Sequence, residues 1–322
     1  MATDHPSPDD GTLEEGAAEA VSPACILSFN AADASGAGGL AGDIATIAAM
    51  GAHALPVTAT VLMRDTAEIF DQHVIDSDAV VEQARAILED ITVSGFKVGF
   101  LGNTDNISAV AEVLSDYAEV PLVSWLPQLS WLEEDDQNAY LEAFRELILP
   151  ATELLVGNHK TLADFLLPDW DSDRPPSPRE LATAAAEHGT RFVLVTGVML
   201  PVKNQGQYID NVLASPQGAL AGEKFEMFET SFIGAGDTLS AAMAALLGAG
   251  AEIQAGIAEA LQFLDQSLDA GFRPGMGNVV PDRFFWALPP GEEGEDGEPG
   301  ADDSLDDTPP DTPPAGGSRR VH

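Results

Sequence analysis

Cysteine and lysine are the scarce residues of this chain: its 322 positions hold one Cys, Cys25, and four Lys. A lone cysteine excludes an internal disulfide framework and agrees with a reducing cytoplasm. No apolar run approaches the ~20 residues that span a bilayer. The N-terminal stretch MATDHPSPDDGTLEEGAAEA carries acids where a secretion signal carries bases, so no signal peptide is expected. Fourteen Lys and Arg stand against 53 Asp and Glu, a formal net charge of −39. Such a surface excludes nucleic acid and anionic membrane as natural partners. The expected setting is the cytoplasm.

Part of the acidity is local. Residues 1–20 carry six acids and no Lys or Arg, and residues 290–322 carry ten acids against Arg319 and Arg320, with much Pro and Gly. Both ends have the composition of disordered segments. Between them 37 acids still face 12 bases, which points to adaptation to high salt or simply to an acidic protein. The division expected is an acidic N-terminal segment over 1–21, one α/β domain over 22–288, and an acidic Pro/Gly-rich tail over 289–322.

Within that domain short apolar runs alternate with helical periodicity. Strands are expected over 24–29, 55–62, 95–98, 120–126, 153–156 and 191–196. Helices are expected over 40–50, 77–89, 104–117, 135–149, 162–167 and 178–188. The alternation implies a parallel sheet covered on both faces. After Thr196 the order changes to two paired strands, 207–212 with 224–228, then a helix ending near Gly248 and another over 252–268. Ligands of open α/β sheets sit at the carboxyl ends of the strands, so the loops there deserve inspection.

One of those loops is the run Ile233-Gly234-Ala235-Gly236-Asp237-Thr238-Leu239-Ser240-Ala241. It opens a strongly helix-forming segment, which puts the N–H groups of Gly234, Ala235 and Gly236 at the positive end of a helix and suits them to an anion. Asp237 in the first turn adds a proton acceptor beside it. A phosphate cradle next to a base is what phosphoryl transfer to a hydroxyl needs; an ordinary helix entry capped by Asp is the plainer alternative. The loop over 30–43 contains Gly36-x-Gly38-x-x-Ala41, yet it lies too far beyond its strand for a dinucleotide fingerprint. It better suits a small ligand held against exposed backbone, with Asp33 as acceptor or as a solvated turn residue. Asn158 can reach a phosphate or hydrated Mg²⁺, or cap the next helix. Lys97, inside the apolar strand GFKVGF, calls for a buried partner: an ion pair is the plainer reading, a ligand contact the other. His53, His73, His159 and His188 share no metal spacing, and Cys25 reads as packing.

Taken together, SFNAADASGAGGLAGDIATIAAMGAHALPVTAT (28–60), FKVGFLGNTDNISAVAEVL (96–114), LILPATELLVGN (147–158), FVLVTG (192–197), FIGAGDTLSAAMAALLGAG (232–250) and FRPGMGNVVPDRFFW (272–286) resemble the hydroxymethylpyrimidine/phosphomethylpyrimidine kinases of thiamine biosynthesis, within the ribokinase-like superfamily. The resemblance implies a three-layer α/β/α domain with a mainly parallel central sheet. It further implies a homodimer and γ-phosphoryl transfer from ATP, with Mg²⁺, to a pyrimidine. By the same likeness Gly234, Ala235, Gly236 and Asp237 are the catalytic candidates, Asp33, Gly38, Arg64 and Gly99 the substrate-binding ones, and Asn158 and Thr196 the nucleotide-binding ones.

The chain also departs from the pattern. Asp237 stands where these kinases usually carry Cys, and Arg64 where a Gln recognises the pyrimidine. Ser124-Trp125-Leu126 replaces Asp-Pro-Val. Asn158-His159-Lys160-Thr161 lacks the carboxylate of Asn-x-x-Glu, so the metal ligands are left open, with Asp164 one turn on as a candidate replacement. These departures keep open a different hydroxyl acceptor, pyridoxine-like or a nucleoside, and a weakened pyrimidine-binding regulatory protein.

Overall fold

Adjacent residues of a strand point to opposite faces of its sheet, and here both faces are covered, so the central strands are apolar on both sides. In the computed structural model, residues 22–199 and 208–287 are described; the expected acidic segments at the two ends lie outside them. A nine-stranded sheet runs in the order β3-β2-β1-β4-β5-β6-β7-β8-β9. Its strands are β1 (Cys25–Asp33), β2 (His53–Arg64), β3 (Ile69–Val74), β4 (Gly95–Val98), β5 (Leu122–Trp125), β6 (Leu154–Asn158), β7 (Phe192–Met199), β8 (Tyr208–Ser215) and β9 (Gly218–Glu226). The run from β2 to β7 is parallel, while β3, β8 and β9 add antiparallel edges. A mainly parallel α/β architecture is thus observed.

Helices α2 (Ser77–Leu88), α3 (Thr104–Ser115), α4 (Glu134–Ala143), α5 (His159–Leu166) and α6 (Pro178–Glu187) pack one face, meeting Leu27, Phe29, Phe96, Val98, Leu155 and Val193. The other face meets α1 (Gly39–Ala49), α7 (Ala235–Gly248) and α8 (Ile253–Asp269) through Ile26, Val123, Leu154, Val156 and Leu194. Helix starts follow local chemistry. Asp76, Asn103 and Asn158 accept from the first free N–H groups of α2, α3 and α5, and Ser177 with Glu180 forms a reciprocal cap on α6.

Three expectations need correction. The helix foreseen over 135–149 leaves α geometry after Ala143, passing through a π turn (Phe144–Ile148) and a 3₁₀ turn (Leu149–Ala151). Pro150 cannot donate to the ladder. Strand β3 has no clear signature in the sequence, because IFDQHV mixes polar and apolar residues and is half exposed; pairing with β2 creates it. The helix expected over 162–167 begins three residues earlier, at His159, directly after its Asn158 cap.

Candidate active site

Four polar side chains from separate elements converge beneath the sheet's carboxyl end. The pairing of β1 with β2 slips between Asn30 and Ala31, where Ala59 of β2 is the extra, bulged residue. Asn30 Nδ2 donates to Asp43 Oδ2 at 2.9 Å and to Asp237 Oδ1 at 2.8 Å, while its Oδ1 accepts from Ala31 N and Phe100 N. Lys97, fully buried on β4, donates to Asp43 Oδ1 at 2.7 Å and Asp237 Oδ1 at 2.9 Å. Gly39 N donates to Asp237 Oδ2 at 3.0 Å, and Ser28 Oγ to Asp43 Oδ2 at 2.7 Å. The ion pair expected of Lys97 is therefore present, with two carboxylates.

This arrangement splits the two acids. Burial pulls Asp237 upward, but the Lys97 charge and the hydrogen bonds from Lys97, Gly39 and Asn30 outweigh it and hold the group below the usual carboxylate range. At Asp43 burial dominates; with Asp237's charge adding to it, the group sits above its ordinary value despite Lys97. Burial lowers Lys97, yet the two carboxylates raise it overall.

Asp237 lies in the first turn of α7, whose N-cap Gly234 adopts φ +85°. The N–H groups of Gly234, Ala235, Gly236 and Asp237 donate to no group among the described residues, as expected of a helix start awaiting an anion. Arg283 locks the turn from behind, donating to Thr238 Oγ1 at 2.9 Å and Ala37 O at 2.6 Å. A Cβ on Gly234 would collide with the Ala37 carbonyl and lie 2.8 Å from Arg283 Nη2. Gly234→Ala is therefore expected to cost about 2 kcal/mol or more, combining left-handed strain with the clash. Thermal unfolding should show a drop of several degrees; an unchanged midpoint would contradict this account of the turn.

Above the turn opens a cavity of about 840 Å³. Gly234, Ala235, Gly236 and Asp237 form part of its wall, with Arg64 on one side and Asn158 and Thr196 on another. Aromatic Phe100, Trp125 and Trp131 also line it. Asp33, Gly38 and Gly99 do not: they stand behind the wall. Asp33 Oδ1 accepts from Ser35 N and Oγ and its Oδ2 from Gly38 N, so it organises its own loop. Gly99 N donates to Phe29 O. Arg64 Nη1 lies 3.7 Å from Asp33 Oδ2. Asn158 Oδ1 caps α5 by accepting from Lys160 N, and Thr196 Oγ1 donates to Gly157 O. Asn211, also in the wall, accepts from Gly197 N through Oδ1, while its buried Nδ2 has no partner among the described residues.

The wall does not suit a metal held by protein carboxylates. Its acids are Glu68 and Asp237, and none stands beside Asn158. Asp164 is absent from the wall and pairs with Lys160 Nζ at 2.7 Å. Among the described residues no cluster of three His, Cys, Asp or Glu is placed to hold a metal ion.

A comparison with known proteins decides the lineage. The family model described as phosphomethylpyrimidine kinase matches residues 33–282. The chain belongs to the phosphomethylpyrimidine kinase family. It is 25% identical over 269 residues to the hydroxymethylpyrimidine/phosphomethylpyrimidine kinase of Streptomyces coelicolor, covering 83% of this chain and 97% of that one. It is 27% identical over 251 residues to the chloroplastic thiamine biosynthetic bifunctional enzyme TH1 of Arabidopsis thaliana, where it spans 76% of this chain but 46% of the relative. Among solved structures, Bacillus subtilis pyridoxal kinase in an ADP complex superposes with a TM-score of 0.72 at 22% identity, over 83% of this chain and 100% of that one. Phosphomethylpyrimidine kinase from Clostridium difficile gives 0.61 at 19% identity, over 74% and 98%. These likenesses show that the chain shares the fold of those two kinases, and family membership makes the chain a phosphotransferase.

For a phosphomethylpyrimidine kinase family member, the residues that sequence reasoning passed over are as telling as those it named. Asn30, Asp43 and Arg283 build the support of Asp237, and Trp125 covers Gly236. A lysine in an apolar strand signalled that a buried acid existed, but not that two did. Nothing local marks Arg283, whose partners Ala37 and Thr238 are remote in sequence.

Proposed function

We propose that this chain phosphorylates hydroxymethylpyrimidine, its phosphate, or both, with ATP, in thiamine biosynthesis. The observation that carries the reading is one wall of one cavity: four unpartnered N–H groups and the Asp237 carboxylate, inside the residues that match the family. The amides hold the transferring phosphoryl, whose charge spreads over its equatorial oxygens. Asp237 Oδ1 is filled by Lys97 and Asn30, whereas Oδ2 carries one hydrogen bond and keeps a lone pair. Oδ2 is therefore the base. The bond from the γ-phosphorus to its bridging oxygen breaks, ADP leaves, a new bond forms to the acceptor oxygen, and an acceptor hydroxyl passes its proton to Oδ2. Mg²⁺ bound to ATP would screen the phosphate charge; Glu68 and Asp237, the two carboxylates of the wall, belong to no cluster of three metal-ligating side chains among the described residues. Arg64 reads the acceptor ring, and Asn158 and Thr196 face the nucleotide. The protein works as a cytoplasmic homodimer, in keeping with the family resemblance and the single cysteine.

Purified protein should release ADP and yield a phosphorylated pyrimidine with at least one of the two acceptors. Absence of product from both, in low and in high salt, overturns the assignment. A different hydroxyl acceptor, a pyridoxine-like ring or a nucleoside, is the second reading, favoured by Arg64 in the cavity wall; the same assay run with pyridoxine and with a nucleoside discriminates.

A further inference from the structure

Trp125 ends β5 at the cavity and has no role in the account above. Its indole edge packs against Gly236: a Cβ built there would collide with Nε1 and would lie 2.6 Å from Cε2 and 2.8 Å from Cζ2. Position 236 must therefore be glycine for a reason of contact rather than of backbone angle. The ring is also held from beneath, its centroid 5.6 Å from Lys97 Nζ, a cation–π distance. An indole N–H is a donor only and is normally paired when removed from water. Here no described residue accepts from it, and the N–H is not among the buried unpaired donors: it stays open to whatever occupies the cavity that Trp125 lines.

Four unpartnered backbone N–H groups and one unpartnered indole N–H thus meet at the positive end of a 14-residue helix. Donors without acceptors, grouped on one cavity wall at a helix start, form an anion subsite. We propose that Trp125 donates its indole N–H to an oxygen of the phosphoryl group held by the turn, acting as a side-chain member of the anion hole. The inference rests on the kinase reading given above. Part of the charge on the phosphoryl oxygens is then met by a fixed dipole. Lys97 then serves two tasks, compensating Asp43 and Asp237 and seating the ring.

Trp125→Phe keeps an aromatic ring over Lys97 and beside Gly236 and removes the N–H. Loss of one such donor lowers kcat by about 10²-fold or more, and KM for ATP and the melting temperature should stay near wild type. Wild-type kcat in this variant overturns the proposal. A second measurement does not need turnover. In protein carrying ¹⁵N-labelled tryptophan, the Trp125 indole resonance, identified by its absence from the Phe variant, should move downfield and saturate as inorganic phosphate or a non-hydrolysable ATP analogue is added. A resonance that stays in place at saturating anion overturns the proposal. If wild-type protein phosphorylates none of the acceptors, the kinase reading falls, and the titration alone decides whether Trp125 binds the anion.

Discussion

Asp237→Asn is expected to lower kcat by about 10²–10⁴-fold, the range that a positioned general base contributes, without unfolding the chain. The first half of the expectation follows from Oδ2, the carboxylate oxygen with a free lone pair on the cavity wall. The second follows from charge counting. Lys97 bonds to both Asp43 and Asp237, so neutralising position 237 leaves a one-to-one pair with Asp43. The wild-type enzyme should also hold its rate down to mildly acidic pH, because Asp237 titrates below the usual carboxylate range. Steady-state kinetics with a melting curve on the same preparation checks both halves. A variant retaining wild-type kcat removes Asp237 from the chemistry.

Lys97→Met should be the most damaging substitution for stability, costing about 3–5 kcal/mol. Removing one partner of a buried ion pair leaves an uncompensated buried charge, and here two carboxylates would be left 0% and 4% exposed. At about 2–4 °C per kcal/mol for a domain of this size, the melting temperature falls by about 10 °C. The pH dependence follows from the signs. Lys97 is raised in the folded chain, so its contribution is complete below the unfolded lysine value of about 10.4 and is lost as pH rises through the folded one. Asp237 is depressed, so its contribution is complete above about 3.9 and is lost as pH falls through the folded value. Asp43, raised by burial, runs the other way, and stability declines as pH rises through its folded value. Without Lys97 both acids lose their counter-charge. The deficit of the Met variant should therefore shrink as pH is lowered and Asp43 takes a proton. Melting curves from pH 5 to 8 test this, and a deficit that is the same throughout would contradict the assigned charge balance.

The strand–helix alternation was legible because it rests on local signals: apolar runs of strand length, Asn and Asp caps, and a capping box at Ser177 and Glu180. The same holds for the turn at the start of α7, since the Gly-Ala-Gly-Asp run and the helix that follows are contiguous. Strand β3 was not legible, because its pairing with β2 rather than its composition makes it a strand. Asp33 illustrates what a loop leaves open. As a polar residue in a glycine-rich loop it reads as a ligand acceptor or a solvated turn residue, and in the fold its buried carboxylate accepts from Ser35 and Gly38.

By itself, the sequence determined the α/β alternation, the family, and a glycine-rich helix start with an acid in its first turn, all from neighbours along the chain. Only the tertiary structure decided what that acid is. Asn30, Asp43, Lys97 and Asp237 lie on four elements, with Asn30 and Asp237 separated by 207 positions, and burial makes their charges interact strongly. The same folding set an indole N–H beside Gly236. Ionisation states and donor directions depend on what surrounds a group in space, and residues far apart in the chain supply those surroundings.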